Sequence, residues 1–170
     1  GMIGEAGISM RLFRAIAKDA INVILITQGS SEHSITFAVL PKDAVRAVEL
    51  LRTEFELEIK TNLIDDIQAE HNLAIVSAVG EHMKNIPGVS GRFFNALGIN
   101  GINVHAIAQG ASELNISAVI TGTDTRKALN ALHESFFLSN TKTINVFVVG
   151  TGVIGGELLK QIEAQHATLV

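Results

Sequence analysis

The hydrophobic and polar positions of the first forty residues switch between two periods. Residues 7–18 place apolar side chains at a helical spacing, which predicts an amphipathic helix with one buried stripe. Residues 21–28 form a short apolar run rich in β-branched side chains, and residues 34–40 alternate between apolar and polar. Both patterns are typical of strands. The Gly-containing turn at residues 29–32 therefore predicts a β-hairpin.

A second helix is predicted after this hairpin. The sequence Pro-Lys-Asp at residues 41–43 opens it, and Asp43 is the predicted N-cap. The predicted apolar face consists of Val45, Val48, Leu51 and Phe55. Residues 57–70 mix apolar side chains with charges, and we predict an edge strand near residues 63–69.

The chain contains an internal duplication. Residues 101–113 repeat residues 20–32 at an offset of 81 positions, and the flanking sequence keeps this register without a gap. Matching pairs outside this stretch include Gly7 with Gly88, Arg11 with Arg92, Phe13 with Phe94, Ile35 with Ile116, Asp43 with Asp124, Leu51 with Leu132, and Phe55 with Phe136. Chance does not keep one register through so many positions, so the two halves are copies of one structural unit.

The second copy predicts the same order of elements as the first. A strand over residues 72–79 precedes a helix over residues 88–100, which is followed by strands over 102–109 and 114–121. A further helix runs from Asp124. In its complete form each copy is thus strand–helix–strand–strand–helix–strand, an α+β unit.

The first copy lacks its opening strand. The closing strand of the second copy could only be residues 143–149, which the C-terminal region also uses. A missing strand leaves a sheet edge and a helix face uncovered, so either another segment fills the gap or the chain is part of a longer protein. The C-terminal region favours the longer protein. We predict domains at residues 1–70, 71–142 and 143–170.

The C-terminal region carries a glycine motif. Gly150, Gly152 and Gly155 follow a predicted strand and open a helix, which is the setting in which a dinucleotide pyrophosphate binds a helix N-terminus. The acidic residue expected about 20 positions further on, which would bind the ribose, is absent. We therefore do not expect this chain to bind a nucleotide by itself.

Composition narrows the class of protein. The formal net charge is −4 and no block of Lys and Arg occurs, so no nucleic-acid partner is expected. The chain has no Cys and no apolar run of the roughly 20 residues that a membrane span needs, which makes a cytoplasmic protein the default expectation. No metal site is expected, because the histidines are scattered. His105, which replaces Ile24 of the first copy, is interpreted as an interface or core residue.

The duplicated block carries a family resemblance. The sequences Gln-Gly-Ser-Ser-Glu at residues 28–32 and Gln-Gly-Ala-Ser-Glu at residues 109–113 resemble the tandem ACT regulatory domains of aspartokinases. Residues 136–139 and 144–156 resemble the junction into homoserine dehydrogenase, as in the bifunctional aspartokinase–homoserine dehydrogenases. The resemblance covers nearly the whole chain. It implies two ferredoxin-like ACT units, a homodimer paired through their sheets, and feedback sensing of an aspartate-family amino acid.

The resemblance also limits what is expected of this chain. The kinase region is absent and the dehydrogenase is cut after a few turns, so neither activity is expected here. ATP with Mg²⁺ and NAD(P) would be cofactors of the full-length parent, and this chain is expected to need none. No catalytic constellation of side chains can be assembled from the sequence.

The candidate effector site draws on both copies. The backbone N–H groups at two helix starts can bind a carboxylate, and they belong to Gly7, Ile8, Gly88 and Val89. By resemblance, the remaining candidates are Asn22, Gln28, Ser31 and Glu32 in the first copy and Asn103, Gln109, Ser112 and Glu113 in the second. The asparagines could instead satisfy local backbone, and the Ser-Glu pairs could simply form hairpin turns. Gln28 and Gln109 are the leading candidates, because an amide can bind a threonine hydroxyl.

Three functions remain open from the sequence. The first is a sensor of a free amino acid, with threonine as the first choice and lysine or methionine as the alternative. The second is a purely structural ACT pair that binds no ligand. The third is a nucleotide-binding fragment.

Overall fold

The computed structural model describes residues 7–29, 34–138, 147, 149–150 and 152–165. The chain divides into two compact units, residues 1–132 and 133–170. In chain order, the helices and strands of the described residues are α1 (Ile8–Lys18), β1 (Val23–Thr27), β2 (Thr36–Val39), α2 (Ala44–Glu54), α3 (Glu56–Lys60), β3 (Leu73–Val79), α4 (Val89–Ile99), β4 (Val104–Gln109), β5 (Asn115–Thr121), α5 (Thr125–Phe137) and α6 (Val153–Ala164). Short 3₁₀ turns precede α2, α4 and α5.

The strands form two antiparallel sheets. The first repeat contributes the hairpin β1–β2, and the second contributes a three-stranded sheet in the order β3-β5-β4. That order is the one in which the first three strands of a ferredoxin-like unit pair. Strand β1 lies beside β4, but the two strands belong to separate sheets. The prediction of an α+β chain with two ferredoxin-like units is therefore confirmed, and the described residues show no strand before α1.

The duplication extends to details of the backbone. The ladder between β1 and β2 shifts register between Val23 and Leu25, and the ladder between β4 and β5 shifts at the equivalent Val104 and Ala106. A β-bulge at the same place in both repeats gives the two strands the same bend. His105 is the residue at the second bulge, which explains why it can replace an isoleucine without disturbing the ladder.

Both repeats also end their first helix in the same way. Ala20 has φ 54° and the equivalent Gly101 has φ 64°, so each is left-handed. The N–H of Ile21 donates to Ile16 O at 3.4 Å, and that of Ile102 donates to the carbonyl of Leu97 at 3.1 Å. This is a Schellman motif, which satisfies the last carbonyls of a helix and reverses the chain into the following strand.

The core of the first repeat lies between its helices and the inner face of its hairpin. It is formed by buried side chains of α1, of α2 and of the residues that follow each helix, namely Ile8, Leu12, Ala15, Ile16, Ile21, Ala47, Leu51 and Phe55. Phe37 and Val39 of β2 pack against this cluster, as the alternation of the strand predicts. Leu51 and Phe55 come from the apolar face predicted for α2.

The second repeat has its own core at largely equivalent positions. Phe93 and Leu97 of α4 are fully buried, as are Ala118 and Ile120 of β5 and Ala128 of α5. Because the backbone patterns match, the two cores are versions of one design in which two helices cover one face of a narrow sheet.

An arginine braces the helices of the first repeat. Arg11 Nε donates to Glu54 Oε1 at 3.1 Å, and a second guanidinium nitrogen donates to the Glu54 carbonyl at 2.7 Å. Arg11 also pairs with Glu58, and its guanidinium lies 4.6 Å from the centroid of the Phe55 ring. These contacts tie α1 to the end of α2 and to α3, and the hydrogen bonds from Arg11 lower the pKa values of both carboxyl groups.

The edge strand predicted near residues 63–69 is wrong. The chain instead forms the short helix α3, and residues 65–70 have no regular secondary structure. Ile64 and Ile67 pack against the first core without pairing with a strand. The segment is held by Arg52, whose guanidinium makes two hydrogen bonds to the Asp66 carboxylate at 2.9 and 2.7 Å.

Two details of α2 also differ from the sequence prediction. Val45 is 67% exposed, and Ala47 takes its place in the core. Asp43 occupies the N-cap position but its side chain makes no capping hydrogen bond, because a 3₁₀ turn over Pro41–Asp43 already leads into the helix.

Among the described residues, no helix is long and apolar enough to cross a membrane.

The left-handed turn after the first helix gives a prediction with a built-in control. Replacing Ala20 by Gly relieves the steric cost of the left-handed conformation and is expected to stabilise the chain by up to about 1 kcal/mol. Replacing Gly101 by Ala imposes that cost and is expected to destabilise it by about 1 kcal/mol, although a Cβ there meets no atom within 4 Å. Thermal unfolding of both variants measures the change in stability. The explanation requires that Ala20→Gly raises the stability and that Gly101→Ala lowers it.

The Arg11 brace predicts a pH-dependent stability. Because Arg11 lowers the folded-state pKa values of Glu54 and Glu58 below their ordinary 4.5, its stabilisation is complete above that pH and is lost as the pH falls through the lowered values. Arg11→Gln is therefore expected to be less stable than the unmodified chain at pH 7, with a difference that shrinks below pH 4.5. Urea unfolding at several pH values measures this. Arg14→Gln is the matched control. Because Arg14 is more exposed and reaches Glu54 only at 3.4 Å, its replacement should change the stability less than Arg11→Gln does. An Arg11→Gln deficit that does not change with pH would contradict the assignment.

Candidate functional site

The two helix starts named from the sequence have the same geometry. Gly7 has φ 90° and ψ −2°, and Gly88 has φ 90° and ψ −9°. No atom lies within 4 Å of a Cβ built on either residue, so a side chain would not be crowded there. Glycine is favoured at both positions because the backbone is left-handed. Neither α1 nor α4 has a side-chain N-cap, so the first N–H groups of both helices are not used by a capping side chain. Each start can therefore offer backbone donors to an anion.

In the second repeat the helix start lies beside the end of a strand. Gln109 is the last residue of β4, and its amide oxygen Oε1 accepts a hydrogen bond from Ser90 Oγ at 3.3 Å. Ser90 is the second residue of α4. The structure therefore places the first turn of α4, which follows Gly88 and Val89, beside Gln109, and the assignment of these residues to an effector site stays a prediction.

The turn between β4 and β5 closes one side of this region. Glu113 has φ 60°, and its Oε2 accepts a hydrogen bond from the backbone N–H of Asn85 at 2.8 Å. Asn85 belongs to the loop that leads to Gly88. Glu113 thus connects the hairpin turn to the loop before α4, a structural role that the sequence did not indicate.

The remaining residues of this turn bond to one another. The N–H of Gly110 donates to Asn115 Oδ1 at 3.2 Å, and the N–H of Leu114 donates to Ser112 Oγ at 3.5 Å. Ser112 therefore makes the local turn contact that was the alternative interpretation of its role. All of these residues are exposed, so a ligand could reach them.

The asparagines lie elsewhere. Asn103 stands immediately before β4, at the opposite end of the strand from Gln109. A strand rises about 3.3 Å per residue, which puts the two positions about 20 Å apart. Asn22 and Gln28 flank β1 in the same way. A single repeat therefore does not bring its asparagine and glutamine to one ligand.

The first repeat is less completely described. Gln28 is exposed just after β1, and Ile8 is buried in the core, so only its backbone is available to a ligand. Ser31 and Glu32 lie outside the described residues. The assignment of both to an effector site stays a prediction.

The C-terminal glycines lie around the start of α6. Gly150 has φ 93°, Gly152 is the N-cap residue of α6, and Gly155 lies within the helix. The predicted helix is confirmed, whereas most of the strand predicted at residues 143–149 lies outside the described residues. The incomplete nucleotide motif therefore stays a prediction for a longer parent protein.

His105 makes polar contacts on both sides of its ring. Nδ1 lies 3.3 Å from Glu70 Oε2, and Nε2 lies 3.3 Å from Thr121 Oγ1. Within the described ranges no group of three or more His, Cys, Asp or Glu side chains is arranged to hold a metal ion. His105 is thus used to link β4 to β5 and to the segment before β3.

Sequence reasoning missed two contributors to this region, Ser90 and Asn85. Ser90 had a detectable signal, since it matches Ser9 in the repeat register. Asn85 acts through its backbone N–H, which no side-chain pattern can reveal.

Comparison with known proteins also divides the chain into two matching parts. A family model described as the ACT domain matches residues 1–55 and 76–136. The chain is 44% identical over 169 residues to the bifunctional aspartokinase/homoserine dehydrogenase 1, chloroplastic, of Arabidopsis thaliana. That match covers 99% of this chain and 18% of the relative, so the chain spans about a fifth of the relative's length.

Solved structures of aspartate kinases have a fold similar to that of this chain. The ligand-free regulatory subunit of aspartate kinase from Thermus thermophilus superimposes with a TM-score of 0.69 at 29% identity, covering 81% of this chain and 88% of that one. Aspartokinase III of E. coli in complex with lysine and aspartate gives a TM-score of 0.58 at 26% identity, covering 80% of this chain and 29% of that one.

The Glu113 contact predicts a local effect on the loop before α4. Glu113→Ala removes the acceptor of the Asn85 N–H and is expected to speed hydrogen exchange at that amide, with a loss of about 1 kcal/mol of stability. Exchange measured by NMR checks this. Glu113→Gln is the control, because it keeps an oxygen acceptor at the same reach. Equal exchange at Asn85 in the Ala variant and the unmodified chain would contradict the role.

Proposed function

The chain belongs to the ACT domain family, and we propose that it is the allosteric regulatory region of an aspartokinase–homoserine dehydrogenase. In this role it binds an aspartate-family amino acid and transmits feedback inhibition. The observation that carries the proposal is the duplicated site geometry, in which an uncapped helix start and a strand-end glutamine recur in both repeats. The matches along the chain to a bifunctional enzyme and to a regulatory subunit support it.

The chemistry of this geometry suits a free amino acid. The backbone N–H groups after Gly7 and Gly88 can donate to the α-carboxylate, and the favourable end of each helix dipole adds to that attraction. The Gln28 and Gln109 amides can hydrogen-bond a polar side chain of the ligand. Because an amide that a bound ligand covers without pairing costs free energy, such a site would reject analogues that lack the bonding group.

Threonine is our first choice of effector. Its hydroxyl can form a hydrogen bond with a glutamine amide. The likeness of the C-terminal region to a homoserine dehydrogenase also links the chain to the pathway branch that leads to threonine. Lysine and methionine are the alternative effectors, and the related aspartokinase III of E. coli was solved with lysine bound.

The catalytic activities belong to the proposed parent protein. Aspartate kinase chemistry with ATP and Mg²⁺, and homoserine dehydrogenase chemistry with NAD(P), would take place in regions outside this chain. The domain limits at residues 70 and 142 and a cytoplasmic location are parts of the same proposal, and the similar plant enzyme carries a chloroplastic designation.

We also propose that the ACT units pair with a second chain. The outer edge of β2 has no ladder partner among the described residues, and Ile24 and Ile26 on β1 are 48% and 50% exposed. Unpaired edges with apolar side chains favour association, and a homodimer would cover them.

Thermal unfolding with a panel of amino acids tests the sensor function. Threonine at about 100 times its dissociation constant is expected to stabilise the chain by about 2.7 kcal/mol for each site that it occupies. The effect should weaken in Gln28→Ala and in Gln109→Ala and vanish when both are replaced. Gln68→Ala, at an exposed glutamine away from both sites, should leave it unchanged.

The same panel separates the other candidate functions. If lysine or methionine stabilises the chain and threonine does not, that amino acid is the effector in place of threonine. No response to any amino acid would favour a structural ACT pair, and a response to NAD or NADP would favour the nucleotide-binding fragment.

A further inference from the structure

The contact between Ser90 and Gln109 is the feature of the candidate site that the proposed function does not yet use. Ser90 is half-buried on the first turn of α4, and Gln109 is exposed at the end of β4. The serine hydroxyl donates to the amide oxygen at 3.3 Å. A side chain on a rigid helix therefore holds one end of a side chain that faces solvent.

In this contact Ser90 occupies the acceptor end of the amide, which leaves the donor end for a ligand. A glutamine amide has an acceptor end, Oε1, and a donor end, Nε2 with two N–H groups, and the two ends have nearly the same shape. Without a fixed neighbour the amide can present either end. With Oε1 bonded to Ser90, the two N–H donors are the groups available to a ligand.

We propose that Ser90 is a positioning residue that orients the Gln109 amide, so that the second repeat selects amino acids whose side chain carries an oxygen acceptor. This inference rests on the proposed function and adds to it the chemical basis of selectivity. A threonine hydroxyl can accept from Nε2. A lysine ammonium would instead face two N–H donors, and a methionine thioether is only a weak acceptor.

The first repeat supplies an internal comparison. Ser9 and Gln28 occupy the equivalent positions on α1 and after β1, and both are exposed. No hydrogen bond joins these two residues in the part of the chain that the structure describes. The amide of Gln28 is therefore not oriented by its serine, and Ser9 is the matched control for Ser90.

The first experiment measures ligand selectivity at the second repeat. Calorimetric titrations of the 170-residue chain carrying Gln28→Ala compare threonine, 2-aminobutyrate, which lacks the hydroxyl, and lysine. Adding Ser90→Ala is expected to weaken threonine binding about fivefold and to reduce the preference over 2-aminobutyrate by a similar factor, since one oriented hydrogen bond is lost. Ser90→Thr keeps the hydroxyl and should restore both values, and Ser9→Ala should change neither.

The second experiment needs no ligand. In the unmodified chain the two side-chain N–H signals of Gln109 should show restricted motion by NMR relaxation, and Ser90→Ala should make them as mobile as those of Gln28. The Ser9→Ala variant should leave Gln109 unchanged.

The outcomes separate the two ideas. If the unmodified chain binds no amino acid, the proposed function fails, and the selectivity fails with it. If threonine binds but Ser90→Ala changes neither the selectivity nor the mobility of the Gln109 amide, the positioning role alone is overturned. A Ser90→Thr variant that behaves like Ser90→Ala would also overturn it, because the hydroxyl would then not be the cause.

Discussion

The left-handed turn after the first helix of each repeat is the constraint on which the rest of the structure depends. At Ala20 and at Gly101 the chain reverses within two residues, so the following strand runs back beneath the helix. Helix α4 has 11 residues and is about 16 Å long, and the six residues of β4 span about 20 Å. Because these lengths nearly match, the start of the helix and the end of the strand arrive at the same place. Ser90 and Gln109 meet for that reason.

The buried faces hold this arrangement in place. In each repeat two helices cover one face of a narrow antiparallel sheet, and the space is filled by leucine, isoleucine and alanine side chains with one buried phenylalanine, Phe55 or Phe93. The repeats differ in their polar contacts. Arg11 pairs with Glu54 and Glu58 in the first repeat, whereas the positions equivalent to these two glutamates are serines in the second. The core was kept through the duplication, and the surface contacts were free to diverge.

The candidate site has the construction that a sensor needs. It combines helix starts and strand ends fixed by the core with exposed loops held by a few hydrogen bonds, such as that between Glu113 and Asn85. Contacts of this kind are each worth about 1 kcal/mol, which is the scale of the free energy that couples allosteric sites, about 1–3 kcal/mol. A small ligand that makes a few hydrogen bonds would therefore act on the same energy scale as the contacts that hold these loops.

The sequence by itself determined the duplication, the order of helices and strands outside residues 56–70, and most of the residues that each copy buries. These follow from periodicity and from the repeat register, which are local properties of the chain. Only the tertiary structure decided that residues 63–69 pack as an irregular segment, because pairing as a strand needs a neighbouring strand and not just a suitable pattern. It also separated Asn103 from Gln109 and joined Ser90 to Gln109, since distances between side chains on different elements depend on how the helix lies over the strand. The sequence thus named the chemical groups of the candidate site, and the packing of helix on sheet decided which of them can act together.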